Sequence, residues 1–265
     1  MKCAYIVLLL LVVSCNRGPY SETNKQYKKG AKALAKQLMQ SPLADSMQEM
    51  GNWVGTVNFS LRKPNLVVIH HTAQNSCEQT LKTFTLQRTQ VSAHYVICRN
   101  GTIHHMLNDY LRAWHGGSGR WGNLNDINSS SIGIELDNNG SEPFAEPQIA
   151  SLLKLLQNLK TAYSIPTANF IGHADIAPTR KTDPSHYFSW KQLADNGFGH
   201  WYEDSSDVVV PPSFNNIEAL RIIGYDTRDS AASFHAFRLH FLRDTLNTMD
   251  SAAQKVLFKV YKKYL

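Results

Sequence analysis

Leu66-Val67-Val68-Ile69-His70-His71 is a short, unbroken apolar run that closes on two imidazoles. Such a run reads as a central strand covered on both faces. Working outward, residues 77–90 have helical character, and His94 to Cys98 reads as a second strand. Asn100-Gly101 then separates it from a third strand running from Thr102 to Leu107, a strong hairpin signal. Residues 112–130 are rich in Gly, Ser and Asn and read as a long loop. Ser131 to Leu136 is a further strand, and Asn169 to Gly172 a short one leading into a loop closed by Pro178 and Pro184. Between them lies the clearest helix, residues 147–163. Pro147 suits its first turn, and Ile149, Leu152, Leu153, Leu156 and Leu159 line one face. Strands interleaved with helices imply an α/β fold, a mixed central sheet flanked by helices. This domain begins near Trp53 and is assigned to residues 49–205.

Beyond a linker at 208–212 the pattern turns helical, over 216–223, 229–242 and 250–264, with Asp229 and Asp250 as N-caps. Residues 212–265 are therefore expected to form a small three-helix module, near the lower size limit for independent folding. At the other end, one Lys precedes the apolar run Ala4 to Val13. A bilayer span needs ~20 apolar residues, so this run reads as a secretory signal, residues 1–14. Val12-Val13-Ser14-Cys15 resembles the bacterial lipoprotein box, in which the Cys is lipidated and becomes the mature N-terminus. Asn16 in place of Asp favours the outer membrane, facing the periplasm, under the Gram-negative sorting rule. Residues 15–48 would be a lipidated tether. Lys25, Lys29, Lys32 and Lys36 recur at helical spacing beside Tyr27, Ala31, Leu34 and Leu38. That helix suits either an anionic lipid surface or a solvated spacer. Cys77 and Cys98 would share an envelope compartment in which disulfides persist, and both a bridge and two buried thiols fit the sequence.

The 265 residues carry 27 Lys+Arg against 21 Asp+Glu, a net charge of +6, with 43% hydrophobic residues. Disorder, collagen and long coiled coils are excluded by that composition and by the lack of any period. The basic balance suits an anionic cell wall, and no nucleic-acid motif accompanies it. Among the 11 His, two end or follow strands, His70 and His173, as does the carboxylate Glu135. Lys181 and Asp183 lie in the loop after His173. Strand ends on one sheet edge are where α/β folds gather active-site groups. Two imidazoles and a carboxylate make a catalytic zinc set, a further carboxylate serves proton transfer, and a cation stabilises an oxyanion. Spacing alone does not unite these five residues, and each taken singly reads as structural.

Five motifs occur in order: IHHTA (69–73), SAHYVI (92–97), AWHGG (113–117), NLNDINSSSIGIELDN (123–138) and IGHADIAPTRKTDP (171–184). Together they resemble the zinc-dependent N-acetylmuramoyl-L-alanine amidases of the type 2 class, which share a fold with the peptidoglycan recognition proteins. The likeness runs from about residue 64 to 196 and is greatest to the lipoprotein amidases of the outer membrane. Residues 212–265 are similar to the peptidoglycan-binding module of those enzymes. The resemblance implies that His70, His173 and Asp183 hold one Zn²⁺, that Glu135 is the general base, and that Lys181 stabilises the oxyanion. The bond cut would join N-acetylmuramic acid to L-alanine in peptidoglycan or muropeptides. Asp183 stands where some relatives carry Cys. Ala93 stands where the phage enzymes carry a catalytic Tyr, in keeping with Glu135 as base. Asp183-Pro184-Ser185 replaces a common Asp-Pro-Gly, a change of loop geometry more than of chemistry.

Trp114 and His115 match a substrate-groove segment of the family, and Arg180 suits a stem-peptide carboxylate. His71 should point away from His70 along the strand, and His94 should support the core. A non-catalytic recognition protein that holds peptidoglycan is the alternative function. It is disfavoured because such relatives typically lose a metal ligand, whereas all three are present here. A monomer is expected.

Overall fold

The computed structural model describes residues 18–39 and 56–265. Cys15, the signal sequence and the expected domain start near Trp53 lie outside the described residues. Two compact units divide the chain, Met1–Phe59 and Ser60–Leu265. In the first, Ser21–Leu38 forms helix α1, none of whose residues is buried. Its lysines and its apolar stripe of Tyr27, Leu34 and Leu38 are all exposed. Among the described residues, no helix is long and apolar enough to cross a membrane.

The second unit is built on five strands: β1 (Leu66–His71), β2 (Tyr95–Ile97), β3 (Ile103–His105), β4 (Ser131–Leu136) and β5 (Phe170–Gly172). Their order is β3-β2-β4-β1-β5. β1 is parallel to both β4 and β5, β2 is parallel to β4, and only the β2–β3 hairpin is antiparallel. The sheet is thus mixed, as the sequence implied. Gly101 at φ 85° makes the hairpin turn, a left-handed conformation that glycine adopts without strain. The helical stretch expected at 77–90 ends sooner. Helix α2 spans Cys77–Thr85, Leu86 is extended, and a single 3₁₀ turn follows. Thr89 Oγ1 donates to the carbonyls of Thr83 and Leu86, holding that break. Cys77 and Cys98 are joined as a disulfide with Cα atoms 5.4 Å apart, tying α2 to the end of β2.

Alternation along β1 and β4 sorts their side chains between two layers. Val67, Ile69, Ile132, Ile134 and Leu136 pack against Ile149, Leu152, Leu156 and Leu159 of helix α3 (Glu146–Tyr163). Phe188 and the short helix α5 (Trp190–Asp195), preceded by the four-residue α4 (His173–Ile176), complete that layer. The opposite face presents Leu66 and Val68, joined by Ile171 and Ile176. It is covered by α6 (Asn216–Ile223), α7 (Ser230–Phe241) and α8 (Ser251–Tyr261), through Leu220, Ile223, Phe237, Phe241, Val256, Leu257 and Val260. Asp229 and Asp250 cap α7 and α8, accepting from the amides of Ala232 and Ala253. The 208–212 stretch separates these helices from the sheet in sequence, yet both share one apolar core.

Candidate active site

Strand register brings the first two groups together. His70 of β1 lies directly opposite Glu135 of β4, and paired residues of parallel strands project from the same face. β5 lies on the other side of β1, and its last residue, Gly172, leads straight into His173. The loop after α4 turns back, because the Ala174 amide donates to the Asp183 carbonyl at 2.8 Å. His70 Nδ1 and His173 Nδ1 are 2.9 Å apart, and Asp183 Oδ2 lies 3.1 Å from the first and 3.0 Å from the second. All three residues are buried.

A chain of hydrogen bonds fixes which nitrogen of His70 is bare. Ser131 Oγ donates its proton to the Ile127 carbonyl at 2.6 Å, so it can only accept from His115 Nε2, 3.2 Å away. His115 Nδ1 is then unprotonated and accepts from His70 Nε2 at 3.0 Å. Burial first, and the neighbouring imidazoles after it, hold His115 well below its usual pKa and therefore neutral. The same causes lower His70 to about 4. His70 Nδ1 is left as a lone pair aimed at His173 Nδ1 and a carboxylate oxygen. Such a convergence of donors calls for a cation, since unshared lone pairs in a buried site repel. Spacings of this kind are near those of neighbouring donors on a tetrahedral ion with bonds of about 2.0–2.2 Å. The donor set thus fits a metal. Burial pushes the Asp183 carboxyl up, but the two imidazole nitrogens against it outweigh that and hold it well below the carboxylate range.

Glu135 Oε2 is buried with no hydrogen-bond partner. Desolvation raises its carboxyl to about 8, the charge of Asp183 adds to the rise, and Lys181 opposes it. A cleft of about 410 Å³ opens over the group, and His70, Glu135, His173, Lys181 and Asp183 all line it. Trp114, 48% exposed, stands on the lining with its indole accessible. Arg180 also lines it, while Nη2 donates to the Gly116 carbonyl at 3.3 Å and ties the two loops together.

The structure therefore unites the five residues that spacing alone left apart. His71 is not in the cluster; its Nδ1 accepts from the Ser185 amide and steadies the chain just after Asp183. His94 is wholly buried, accepting from the Gly133 amide and donating to the Leu111 carbonyl. His115 was expected at the substrate groove. It lines the cleft, and both its ring nitrogens are taken by protein groups, Nδ1 by His70 and Nε2 by Ser131. Sequence reasoning missed Ser131, Gly133 and Asn128. A Cβ on Gly133 would fall 2.4 Å from the His115 ring, and Asn128 Oδ1 accepts from the amides of His115 and Gly116. A glycine inside a β-branched strand was the available signal for a close approach.

The cleft thus gathers, at parallel-strand ends, a donor set that could hold a metal and an unpartnered carboxylate, an arrangement suited to hydrolysis. The N-acetylmuramoyl-L-alanine amidase family matches residues 60–186. The chain is 33% identical over 233 residues to the N-acetylmuramoyl-L-alanine amidase AmiD of Escherichia coli, covering 75% of this chain and 83% of that protein. It is 38% identical over 108 residues to the 1,6-anhydro-N-acetylmuramyl-L-alanine amidase AmpD of Haemophilus influenzae, covering 40% of this chain and 59% of that one. The solved structure of E. coli AmiD with anhydro-N-acetylmuramic acid-L-Ala-D-γ-Glu-L-Lys superposes with a TM-score of 0.70 at 28% identity, over 79% of this chain and 93% of that one. AmpDh3 of Pseudomonas aeruginosa gives 0.69 at 26%, over 82% and 98%. This chain belongs to the N-acetylmuramoyl-L-alanine amidase family.

Proposed function

We propose that the chain is a zinc-dependent amidase that hydrolyses the amide between the lactyl group of N-acetylmuramic acid and L-alanine in peptidoglycan or its muropeptides. One observation carries this reading: His70, His173 and Asp183 converge on a single point, with Glu135 beside them in strand register. The named ligand of the AmiD structure, an anhydromuramyl tripeptide, supports the substrate class. Zn²⁺ held by His70, His173 and Asp183 would polarise the amide carbonyl and lower the pKa of a water toward ~7. Glu135 would take a proton from the attacking water and return it to the departing nitrogen. The C–N bond breaks, and the second water proton passes from the new carboxyl to the amine, leaving a lactyl carboxylate and a free L-alanine ammonium group. Lys181, on the same cleft, offsets negative charge developing on the carbonyl oxygen. Trp114 and Arg180 are the proposed substrate contacts, the first through its exposed indole and the second through guanidinium N–H groups that Gly116 leaves free.

The binding-only alternative is disfavoured by the intact donor set and by Glu135 and Lys181 on the same cleft. Incubation of the protein with purified sacculi, with and without a chelator, tests the reading. The expected products by mass spectrometry are intact stem peptides with a free L-alanine amine, lost on chelation and restored by zinc. Sacculi that bind the protein and stay uncut would favour the recognition protein instead.

Cys15 is the proposed lipid attachment, anchoring a monomer to the periplasmic face of the outer membrane, with α1 in the tether above the lipid. Residues 212–265 are proposed to bind the wall as well. Metabolic labelling with a tagged fatty acid should mark the chain and be lost in Cys15→Ser; labelling that survives the substitution would remove the anchor.

A further inference from the structure

The C-terminal helices reach the two segments that carry His173 and Asp183. Asp175, two residues after His173, is 1% exposed, and its carboxylate is held by three donors. The Gly172 amide donates to Oδ2 at 2.7 Å, Tyr225 Oη to Oδ1 at 2.7 Å, and His240 Nδ1 to Oδ2 at 2.8 Å. Two of the three come from the C-terminal part, Tyr225 from just beyond α6 and His240 from α7. His240 is itself fixed, stacked on Trp190 at 4.0 Å and 13° between ring planes. Just past α7, Arg243 Nε donates to the His186 carbonyl at 3.0 Å and Nη2 to the Tyr187 carbonyl at 3.4 Å. One attachment thus follows His173 and the other follows Asp183.

We propose that the C-terminal helices brace the metal centre from within, Tyr225 and His240 acting as positioning residues that hold His173 in its metal-binding orientation through Asp175. This inference rests on the zinc reading given above. A buried carboxylate is tolerated only where donors surround it. Without Tyr225 and His240, Asp175 keeps the Gly172 amide alone and must shift toward other donors. α4 is one turn long, so a shift of Asp175 moves His173 with it. Metal affinity depends steeply on ligand orientation, and loss of a group that orients a ligand typically weakens binding about 10–100-fold. Wall binding by the same helices is a separate matter, because these contacts face inward.

The test uses the full chain in its metal-free and zinc-loaded forms. Tyr225→Phe, His240→Phe and the double variant remove donors while keeping ring packing. Zinc affinity is read by competition with a chromophoric chelator, and ligand geometry by the visible absorption of the Co²⁺-substituted protein. Leu257→Ala, in the same core and giving no hydrogen bond to Asp175, reports the effect of lost stability alone. The double variant is expected to bind zinc about 10–100-fold more weakly with shifted Co²⁺ bands. His240→Asn, whose Nδ2 can replace the ring donor, is expected to restore much of the loss, and Leu257→Ala to lower Tm with zinc affinity unchanged. Should the double variant fail to fold, Tyr225→Phe alone, the loss of one hydroxyl, carries the comparison. Wild-type affinity and bands in the donor variants, or an equal loss in Leu257→Ala, would overturn the brace while leaving the zinc reading intact. A wild-type protein that takes up no zinc would overturn the zinc reading and the brace with it.

Discussion

The tautomer of His70 is decided by Ser131, two partners away from it. Ser131 Oγ spends its proton on the Ile127 carbonyl, and the donor–acceptor order then runs through His115 to leave His70 Nδ1 bare. His115→Ala breaks this order and leaves the buried His70 Nε2–H without a partner, a cost of about 1–3 kcal/mol. The expected result is zinc binding weakened about 10–100-fold, measurable by chelator competition; unchanged affinity would show that His70 is oriented by packing alone. Glu135→Gln should behave in the opposite way. It holds no metal, so zinc content should remain, whereas release of L-alanine-terminated peptides should fall by about 10²–10⁴-fold. At this scale the five residues that line the cleft were legible only through their motifs taken together, since each read singly as structural. The role of His115 was not legible. It depends on the empty space above Gly133, and empty space is written in the sequence only as a missing side chain.

Between α7 and α8 the chain turns around a buried cation. Arg238, 4% exposed, pairs with Asp244 through Nε at 2.8 Å and Nη2 at 2.7 Å, and with Asp250 through Nη1 at 2.8 Å. The Arg238 hydrogen bonds hold the Asp244 carboxyl below its usual value, against the smaller opposing effect of burial. A depressed carboxyl stabilises the fold above its unfolded pKa of about 3.9, and that contribution disappears as pH falls through the folded value. Asp244→Asn should therefore lower Tm at pH 7, each kcal/mol lost being worth about 2–4 °C in a unit of this size. The gap between variant and wild type should close as pH falls through the depressed value of the folded carboxyl. A constant gap across pH would mean that the pair contributes shape and not charge. The helices flanking this turn were legible from their apolar spacing and their Asp caps. The four-residue α4 and six-residue α5 were not. Elements so short have no periodicity to read, and tertiary partners such as Asp175 with Tyr225 and Trp190 with His240 are what hold them.

At the level of the whole second unit, the sheet has two faces, and helices interleaved with the strands cover one of them fully and the other only at Val96, under α2. α3 and α5 serve the side of Val67 and Ile69, while Leu66, Val68, Ile171 and Ile176 rely on helices that come last in the chain. The sequence marked those helices as elements but had no means to say that their apolar faces meet the sheet. Apolar spacing states that a face is buried, never against what. A chain ending at residue 211 tests this dependence. It would expose the aliphatic side chains of that face, each worth about 1.5–3 kcal/mol of burial, and would remove two of the three donors to Asp175. Since domain stability is only about 5–15 kcal/mol in all, the shortened chain is expected to be insoluble or to bind the apolar dye ANS strongly without a cooperative thermal transition. A soluble 211-residue chain that melts cooperatively near the wild-type Tm would mean that the sheet and the edge carrying His70 and His173 fold without the C-terminal helices. Leu257→Ala offers a graded version within the intact chain, with an expected loss of about 2–5 kcal/mol read from chemical denaturation. If the helices and sheet are one cooperative unit, that loss should appear in a single transition followed equally by Trp fluorescence and by far-UV circular dichroism. Two separated transitions would instead mark the C-terminal helices as an independently melting module.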